Sequence, residues 1–326
     1  MSIFFSVIIP TYDRPKLLES CLDALANQSF DRSRFEVIVV NDRLFPDLTE
    51  EDMHRWKKIF SGGFEFLVQE HAGAAAARNK AIRLSKGIFV VMTDDDCLPD
   101  NNWLTNLHRC VVEHEAVVGW GGKVLSVRPK TLVQRYIAFK ELLREPSRSS
   151  DGSIVNIVTA NACYRWDALA KVGGFRKDFI AQVVPSGGED VDLTHRIQRL
   201  GTLGYCPDAI VYHHHRDSLK ALIRQHIIYG RGAYLACRLN NIPCEGLRFY
   251  RPTPLNCARY VFYVLKRIFL VSVPEFRRKK LSFGLYPVYA FLDVVRKLSF
   301  LAGTIQYHYF FRNSYEKNNA NTPGPA

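Results

Sequence analysis

The apolar residues of this chain fall first into short blocks and later into helical stripes. Residues 3–10 (IFFSVIIP) form a nearly unbroken β-branched and aromatic run ended by proline, the pattern of a strand buried on both faces. In PKLLESCLDALANQ, Leu17, Leu18, Cys21, Leu22 and Leu25 share one helical stripe, with Pro15 at a favoured first-turn position. EVIVVND (36–42) predicts a second strand with an acid at its carboxyl end, TEEDMHRWKKIF a helix, and FEFLVQE a third strand. AAAARNKAIRLSKG predicts a helix stopped by Gly87, and IFVVMTDDD a fourth strand running into carboxylates. Such alternation specifies an α/β fold with a parallel sheet covered on both faces, where ligands bind beyond the carboxyl ends of the strands. Thr11, Tyr12, Asp13, Asp42 and the triplet Asp94-Asp95-Asp96 all lie just past such ends, so one site along one sheet edge is expected.

The pattern changes twice further on. Residues 97 to 215 read as mixed α+β, with strands near 117–127 and 154–164, a Gly-Gly-Phe turn at 173–175 and a helix through DVDLTHRIQRLG. Residues 216–311 are aromatic, basic and helically periodic, and the polar tail 312–326 has the composition of a disordered segment. The expected organisation is an α/β domain over 1–215, divided into a first half (1–100) and a second half (101–215). An amphipathic helical region (216–311) and the tail follow it.

Lys and Arg number 44 against 32 Asp and Glu, a formal charge of +12. That excess directs attention to anionic partners: nucleotide phosphates, an anionic membrane surface or nucleic acid. The last is set aside, because no nucleic-acid-binding motif interleaves the cations. The eight cysteines form no C-x-x-C pair and have no histidine at zinc spacing, so they read as free thiols in a reducing cytoplasm. The N-terminal run reads as a strand rather than an export signal. No uncharged apolar run reaches the ~18 residues of a spanning helix, and a cytoplasmic protein is expected.

The chemistry centres on Asp94-Asp95-Asp96. Adjacent carboxylates raise one another's pKa unless a cation compensates, and Mg²⁺ or Mn²⁺ prefers oxygen ligands and keeps substrate phosphates in its shell. Strand alternation would set Asp94 and Asp96 on one face and Asp95 on the other. The competing reading is a solvated acidic turn. GGED (187–190) sets two carboxylates after flexible glycines and before a helix, so Asp190 reads either as a general base or as a helix cap. In AIVYHHH, either His213 or His215 is a candidate metal ligand, with His213 preferred because it ends the apolar Ile-Val-Tyr stretch and exposed structural histidines as the alternative. Lys123 in GWGGKV reads as a solvated strand-end lysine before a phosphate contact.

In this order, SVIIPTYDRPKLLESCLDAL, EVIVVND, EHAGAAAARNKAI, TDDDCLPDNNWL, and VTANACYRWDALAKVGGFRKDF with GGEDVDLTHRIQRLG resemble the inverting glycosyltransferases of family 2, with the GT-A fold. The resemblance covers about the first two-thirds of the chain, and it implies that 1–215 is the catalytic domain, with 1–100 its nucleotide-binding half and 101–215 its acceptor-side half. It implies a mixed Rossmann-like sheet and transfer of a sugar from a nucleotide-diphosphate donor to a saccharide or lipid-linked acceptor, in cell-surface polymer or glycolipid synthesis. By the same resemblance Pro10, Thr11, Tyr12, Asp13 and Asp42 would line the base and ribose pocket, and Arg78 would lie near the base or phosphates. Asp94 and Asp95 would face the donor. Asp96, with Asp94 and one of the histidines, would hold Mn²⁺ or Mg²⁺. Asp190 would be the catalytic base and Glu189 an acceptor contact. Family members often have Gly-Ser after the second-strand acid, whereas Asp42 is followed here by Arg43-Leu44-Phe45. A sugar-nucleotide nucleotidyltransferase is the alternative enzyme, although TYDRPKLL lacks the glycines it would want; an inactive binding protein is the non-enzymatic one.

The final third adds a membrane expectation. Charges interrupt its apolar runs, which suits in-plane amphipathic helices, and Arg277, Arg278, Lys279 and Lys280 form a basic cluster fit for an anionic leaflet. Peripheral attachment to the inner face of the plasma membrane is expected. A helical subdomain packed on the core or on a second subunit is the alternative.

Overall fold

A computed structural model of the chain describes residues 2–46, 48–149, 151–179, 187–242, 252–267 and 283–311. These fall into two compact units. The first draws on 1–128, 140–183 and 189–215, the second on 129–139, 184–188 and 216–326.

In the first unit the chain runs β1 (Phe5–Thr11), α1 (Pro15–Ala26), β2 (Phe35–Asn41), α2 (Glu50–Ile59), β3 (Phe64–Val68), α3 (Ala74–Leu84), β4 (Phe89–Met92) and β5 (Cys97–Pro99). It continues with α4 (Trp103–Glu113), β6 (Val117–Ser126), a small hairpin of β7 (Ser147–Arg148) and β8 (Ile154–Asn156), β9 (Ala162–Arg165), α6 (Trp166–Val172), α7 (Glu189–Gln198) and β10 (Thr202–His213). Between β6 and β7 lies α5 (Leu132–Lys140), most of which belongs to the second unit. Eight strands form one mixed sheet in the order β3-β2-β1-β4-β9-β6-β10-β5. The half β3-β2-β1-β4 is parallel, and β9 runs antiparallel to both β4 and β6.

The parallel half follows directly from side-chain patterning. All seven residues of β2 are buried, as expected of a strand covered on both faces. Beneath it Leu18, Cys21, Leu22 and Leu25 of α1 join Trp56, Phe60 and Phe35 in the core. Pro15 opens α1, and Thr49 with Asp52 forms a capping box on α2. The register Thr11↔Asn41 brings the carboxyl ends of β1 and β2 level. The strand order reverses between β1 and β4, which makes the crevice at their ends a switch point suited to a ligand.

Three expectations need correction. Helix α3 stops at Leu84 with an extended Ser85, so Gly87 does not end it. A Cβ at Gly87 would lie 2.5 Å from the Ser6 nitrogen; glycine is needed there to let the chain pass against β1. The cysteines are not all free thiols. Packing of α4 on β10 brings the Cα atoms of Cys110 and Cys206 to 6.2 Å, and the pair is disulfide-bonded across 96 residues, a proximity that spacing along the chain does not reveal. The argument for a reducing compartment from cysteine usage loses that support. Asp94 to Asp96 do not lie on a strand either, as described below.

The described part of the second unit is helical: α5, α8 (Leu219–Asn240), α9 (Pro254–Arg267) and α10 (Tyr286–Gln306). Helices α8 and α10 cross closely through glycine. A Cβ at Gly230 would meet the Phe300 carbonyl oxygen at 1.9 Å, and one at Gly303 the Ile227 carbonyl oxygen at 2.0 Å. Buried Asp293 accepts from the Tyr136 hydroxyl (2.9 Å), Arg296 (2.9 Å) and Lys297 (2.7 Å), and the two cations hold its carboxyl far below the usual range despite burial. Gly188 has φ +92°, and a Cβ there would lie 2.5 Å from the Gly232 carbonyl carbon, so glycine at this position permits backbone contact with α8. The cluster Arg277 to Lys280 and the tail 312–326 lie outside the described residues. Among those described, no helix is long and apolar enough to cross a membrane.

Candidate active site

Past Met92 the chain leaves the sheet in a tight turn, in which the Cys97 amide donates to the Asp94 carbonyl at 3.1 Å. This turn, rather than strand alternation, sets the three carboxylates. Asp94 turns toward α3, where Arg78 Nη2 donates to its Oδ1 at 2.6 Å. Asp95 is not turned away from the site. It accepts from Thr11 Oγ1 at 2.8 Å, and from Arg14 Nη1 at 3.1 Å. The same Arg14 nitrogen donates to Asp96 Oδ2 at 3.0 Å. Burial, followed by the charge of Asp96, pushes the Asp95 carboxyl up to about 6, against the pull of Arg14 and Thr11.

The sheet delivers the histidine. β10 pairs with β6 on one side and β5 on the other, so His213 lies opposite both Ser126 and Cys97. Its Nε2 is 3.3 Å from Asp96 Oδ1, and the next residue's amide donates to the Asp96 carbonyl at 2.8 Å. His215 takes a different place: its Nδ1 is 3.1 Å from His213 Nδ1 and its Nε2 is 2.8 Å from Ser126 Oγ. Ligand atoms of Asp94, Asp96, Cys97 and His213 all fall within 4.8 Å of one another. Two hard carboxylates and an imidazole suit Mn²⁺ and, less well, Mg²⁺. The soft sulfur of Cys97 is a poor match for such hard ions. The residues fit a hard divalent cation.

Arg78 is buried and joins two parts of the site. Its Nη1 lies 3.4 Å from Glu189 Oε1 in the first turn of α7. Asp190 follows, and its Oδ1 accepts from the Val191 amide at 2.8 Å. Its crowded, desolvated position and then the charge of Glu189 push its carboxyl up to about 7, opposed by the Val191 amide and Arg78. A carboxyl with that affinity is suited to take a proton near neutral pH.

The remaining expected residues flank this centre. Pro10 and Thr11 end β1, opposite Val40 and Asn41. Asp42 is buried and cradled by Gln69 Nε2 (2.7 Å), His71 Nδ1 (2.8 Å) and the amides of Ala72 (2.8 Å) and Gly73 (2.7 Å) at the start of α3. Tyr12 is half exposed, its ring 4.7 Å from that of His71. Asp13 has φ +54° and is ion-paired with Arg43. Leu44 and Phe45 stand exposed beside them. Sequence reasoning missed Arg14, Cys97, Gln69 and His71. For Arg14 a signal existed: a cation at the β1–α1 turn beside Tyr12 and Asp13, on the edge that also carries the triplet.

Known proteins resemble this chain in sequence and in fold. The model of glycosyl transferase family 2 matches residues 6–173. Glycosyltransferase AglE of Haloferax volcanii is 31% identical over 244 residues, spanning 73% of this chain and 76% of that protein. The mannosyltransferase PcManGT from Pyrobaculum calidifontis, solved in complex with GDP-Man and Mn²⁺, is similar in fold with a TM-score of 0.64 at 20% identity. The match covers 95% of this chain and 88% of that one. Residues 1–349 of S. aureus TarS, in complex with UDP-GlcNAc, align with a TM-score of 0.53 at 17% identity over 94% and 91% of the two chains. On the ordered sheet, the acidic turn and these matches together, the chain belongs to glycosyl transferase family 2 and is a GT-A glycosyltransferase.

Proposed function

We propose that the protein is a metal-dependent inverting glycosyltransferase that takes its sugar from a nucleotide-diphosphate donor and delivers it to a hydroxyl of a saccharide or lipid-linked acceptor. The observation that carries this reading is the convergence of Asp94, Asp96 and His213 within 4.8 Å, beside an arginine fork that reaches Glu189 next to Asp190. Asp94, Asp96 and His213 would hold Mn²⁺ or Mg²⁺. Bound there, the ion supplies positive charge against the diphosphate as it departs.

This chain's own residues do the rest. Thr11, Tyr12, Asp13 and Asp42, with Pro10 behind them, form the nucleoside side of the site. Asp95, held by Thr11 and Arg14, supports the donor side. Arg78 fixes Asp94 and Glu189 in one frame, and Glu189 contacts the acceptor. Asp190 accepts the proton of the acceptor hydroxyl. The acceptor oxygen then bonds to the anomeric carbon as the bond from that carbon to the diphosphate oxygen breaks on the opposite face. The sugar is thereby inverted. The similar structures hold GDP-Man and UDP-GlcNAc, so GDP- and UDP-sugars are the first donors to test. The test is a hydrolysis screen over UDP-, GDP- and dTDP-sugars with Mn²⁺ or Mg²⁺. No turnover and no nucleotide binding in any arm would overturn the reading.

We also infer peripheral contact of the second unit with an anionic membrane, at the inner face of the plasma membrane, which suits a cell-surface polysaccharide or glycolipid product. The outward face of α9 carries Leu255, Ala258, Phe262 and Leu265, flanked by Arg259 and Lys266. An apolar stripe edged by cations is the pattern of an in-plane helix. Flotation with anionic vesicles checks this. The double variant Phe262→Ser, Leu265→Ser should stay in the pellet; flotation equal to the parent protein contradicts it.

A further inference from the structure

We propose that Ser126 and His215 form a positioning relay for His213, fixing which of its ring nitrogens faces the acidic turn. The inference rests on the metal site proposed above and concerns the groups behind it. His213 Nε2 faces Asp96 Oδ1, while its Nδ1 faces His215 Nδ1 at 3.1 Å. The far nitrogen of His215, Nε2, reaches Ser126 Oγ at 2.8 Å. Two ring nitrogens in hydrogen-bond contact require one donor and one acceptor.

An imidazole that offers Nε2 to a cation carries its proton on Nδ1. That Nδ1–H needs an acceptor, which His215 Nδ1 supplies. His215 must then carry its own proton on Nε2, and this donates to Ser126 Oγ. A single assignment therefore satisfies all three contacts and leaves the His213 Nε2 lone pair aimed at the Asp96 side. The sheet makes the arrangement rigid. Ser126 ends β6 directly opposite His213 of β10, and the Val127 amide donates to the His213 carbonyl at 3.1 Å. Groups behind a ligating histidine that fix its tautomer and ring angle typically change metal affinity about 10- to 100-fold when removed. Of the two histidines considered from sequence, His213 is then the ligand and His215 its support.

The test is Mn²⁺ affinity of the full chain, followed by electron paramagnetic resonance with UDP and, separately, with GDP present. It is run on the parent protein and on His213→Ala, His215→Phe, His215→Asn and Ser126→Ala. The relay predicts a loss of about 10-fold or more for His215→Phe. It predicts a smaller loss for Ser126→Ala. In His215→Asn much of the affinity returns, because the amide oxygen can accept where Nδ1 did. Ser126→Ala removes one oxygen at a part-buried position and keeps the test decisive if His215→Phe fails to fold. Wild-type affinity in both Ser126→Ala and His215→Phe, with affinity lost in His213→Ala, overturns the relay and leaves the metal site standing. Absence of Mn²⁺ binding by the parent, or no change in His213→Ala, overturns the metal site itself at this histidine.

Discussion

Arg78 Nη2 donates to Asp94 Oδ1 across 2.6 Å, tying the first turns of α3 to the turn that follows β4. The guanidinium is buried, lies over the Phe175 ring at 5.7 Å and extends its other nitrogen to Glu189. One planar fork thus sets the spacing between the acidic turn and α7. Lysine keeps the charge and loses the fork. Arg78→Lys should lower kcat/KM for donor and acceptor about 100-fold, with a fold preserved by circular dichroism. Steady-state kinetics checks it, and near-parental kcat/KM would remove Arg78 from the machinery.

A second expectation concerns pH. Asp190 is held up to about 7 by desolvation and by Glu189. It is protonated below that value and proton-free above it. A base must be proton-free, so kcat/KM should climb as pH rises through this region and level off beyond it. Glu189→Gln removes the neighbouring negative charge and should move the midpoint to lower pH. A parental midpoint at the ordinary carboxylate value of about 4 would contradict the role given to Asp190.

The backbone passage at Gly87 offers a test of the fold alone. A Cβ there would stand 2.5 Å from the Ser6 nitrogen and 2.7 Å from the Phe5 carbonyl carbon, and backbone atoms of a buried strand cannot step aside. Gly87→Ala should cost about 1–3 kcal/mol and lower the thermal midpoint. A helix-stopping glycine with open space around it would give a much smaller loss, so thermal unfolding separates the two accounts.

These sites differ in how far the sequence reveals them. The strands β1, β2 and β4 are legible because each is a largely apolar run, broken only by Ser6 in β1 and Glu36 in β2, and a doubly covered parallel sheet demands that. Their polar carboxyl ends follow from the same topology, which is why Thr11, Asp42 and Asp94 to Asp96 stand out together. The turn at Asp94 is not legible: no glycine or proline between Met92 and Cys97 marks where extension stops. The contact of Arg14 with Asp95 and Asp96 joins residues about eighty positions apart, and the Cys110–Cys206 link spans 96. Neither leaves a local pattern. The apolar Ile-Val-Tyr stretch favours His213 from sequence, but its place opposite Cys97 and Ser126 comes from the register of β10 against β5 and β6, which periodicity alone does not supply.

The most direct test of the central claim is the initial rate of nucleotide-sugar hydrolysis as a function of Mn²⁺, measured for the parent protein and for Asp96→Asn. Asp96 meets both Arg14 and His213, and its amide replacement keeps shape while removing a charged ligand. The expected result is a saturable Mn²⁺ requirement in the parent, abolished by chelation, with the Asp96→Asn rate reduced at least about 100-fold. Parental turnover that survives chelation, or an Asp96→Asn enzyme with the parental Mn²⁺ dependence, would contradict the assignment of this turn as the metal site.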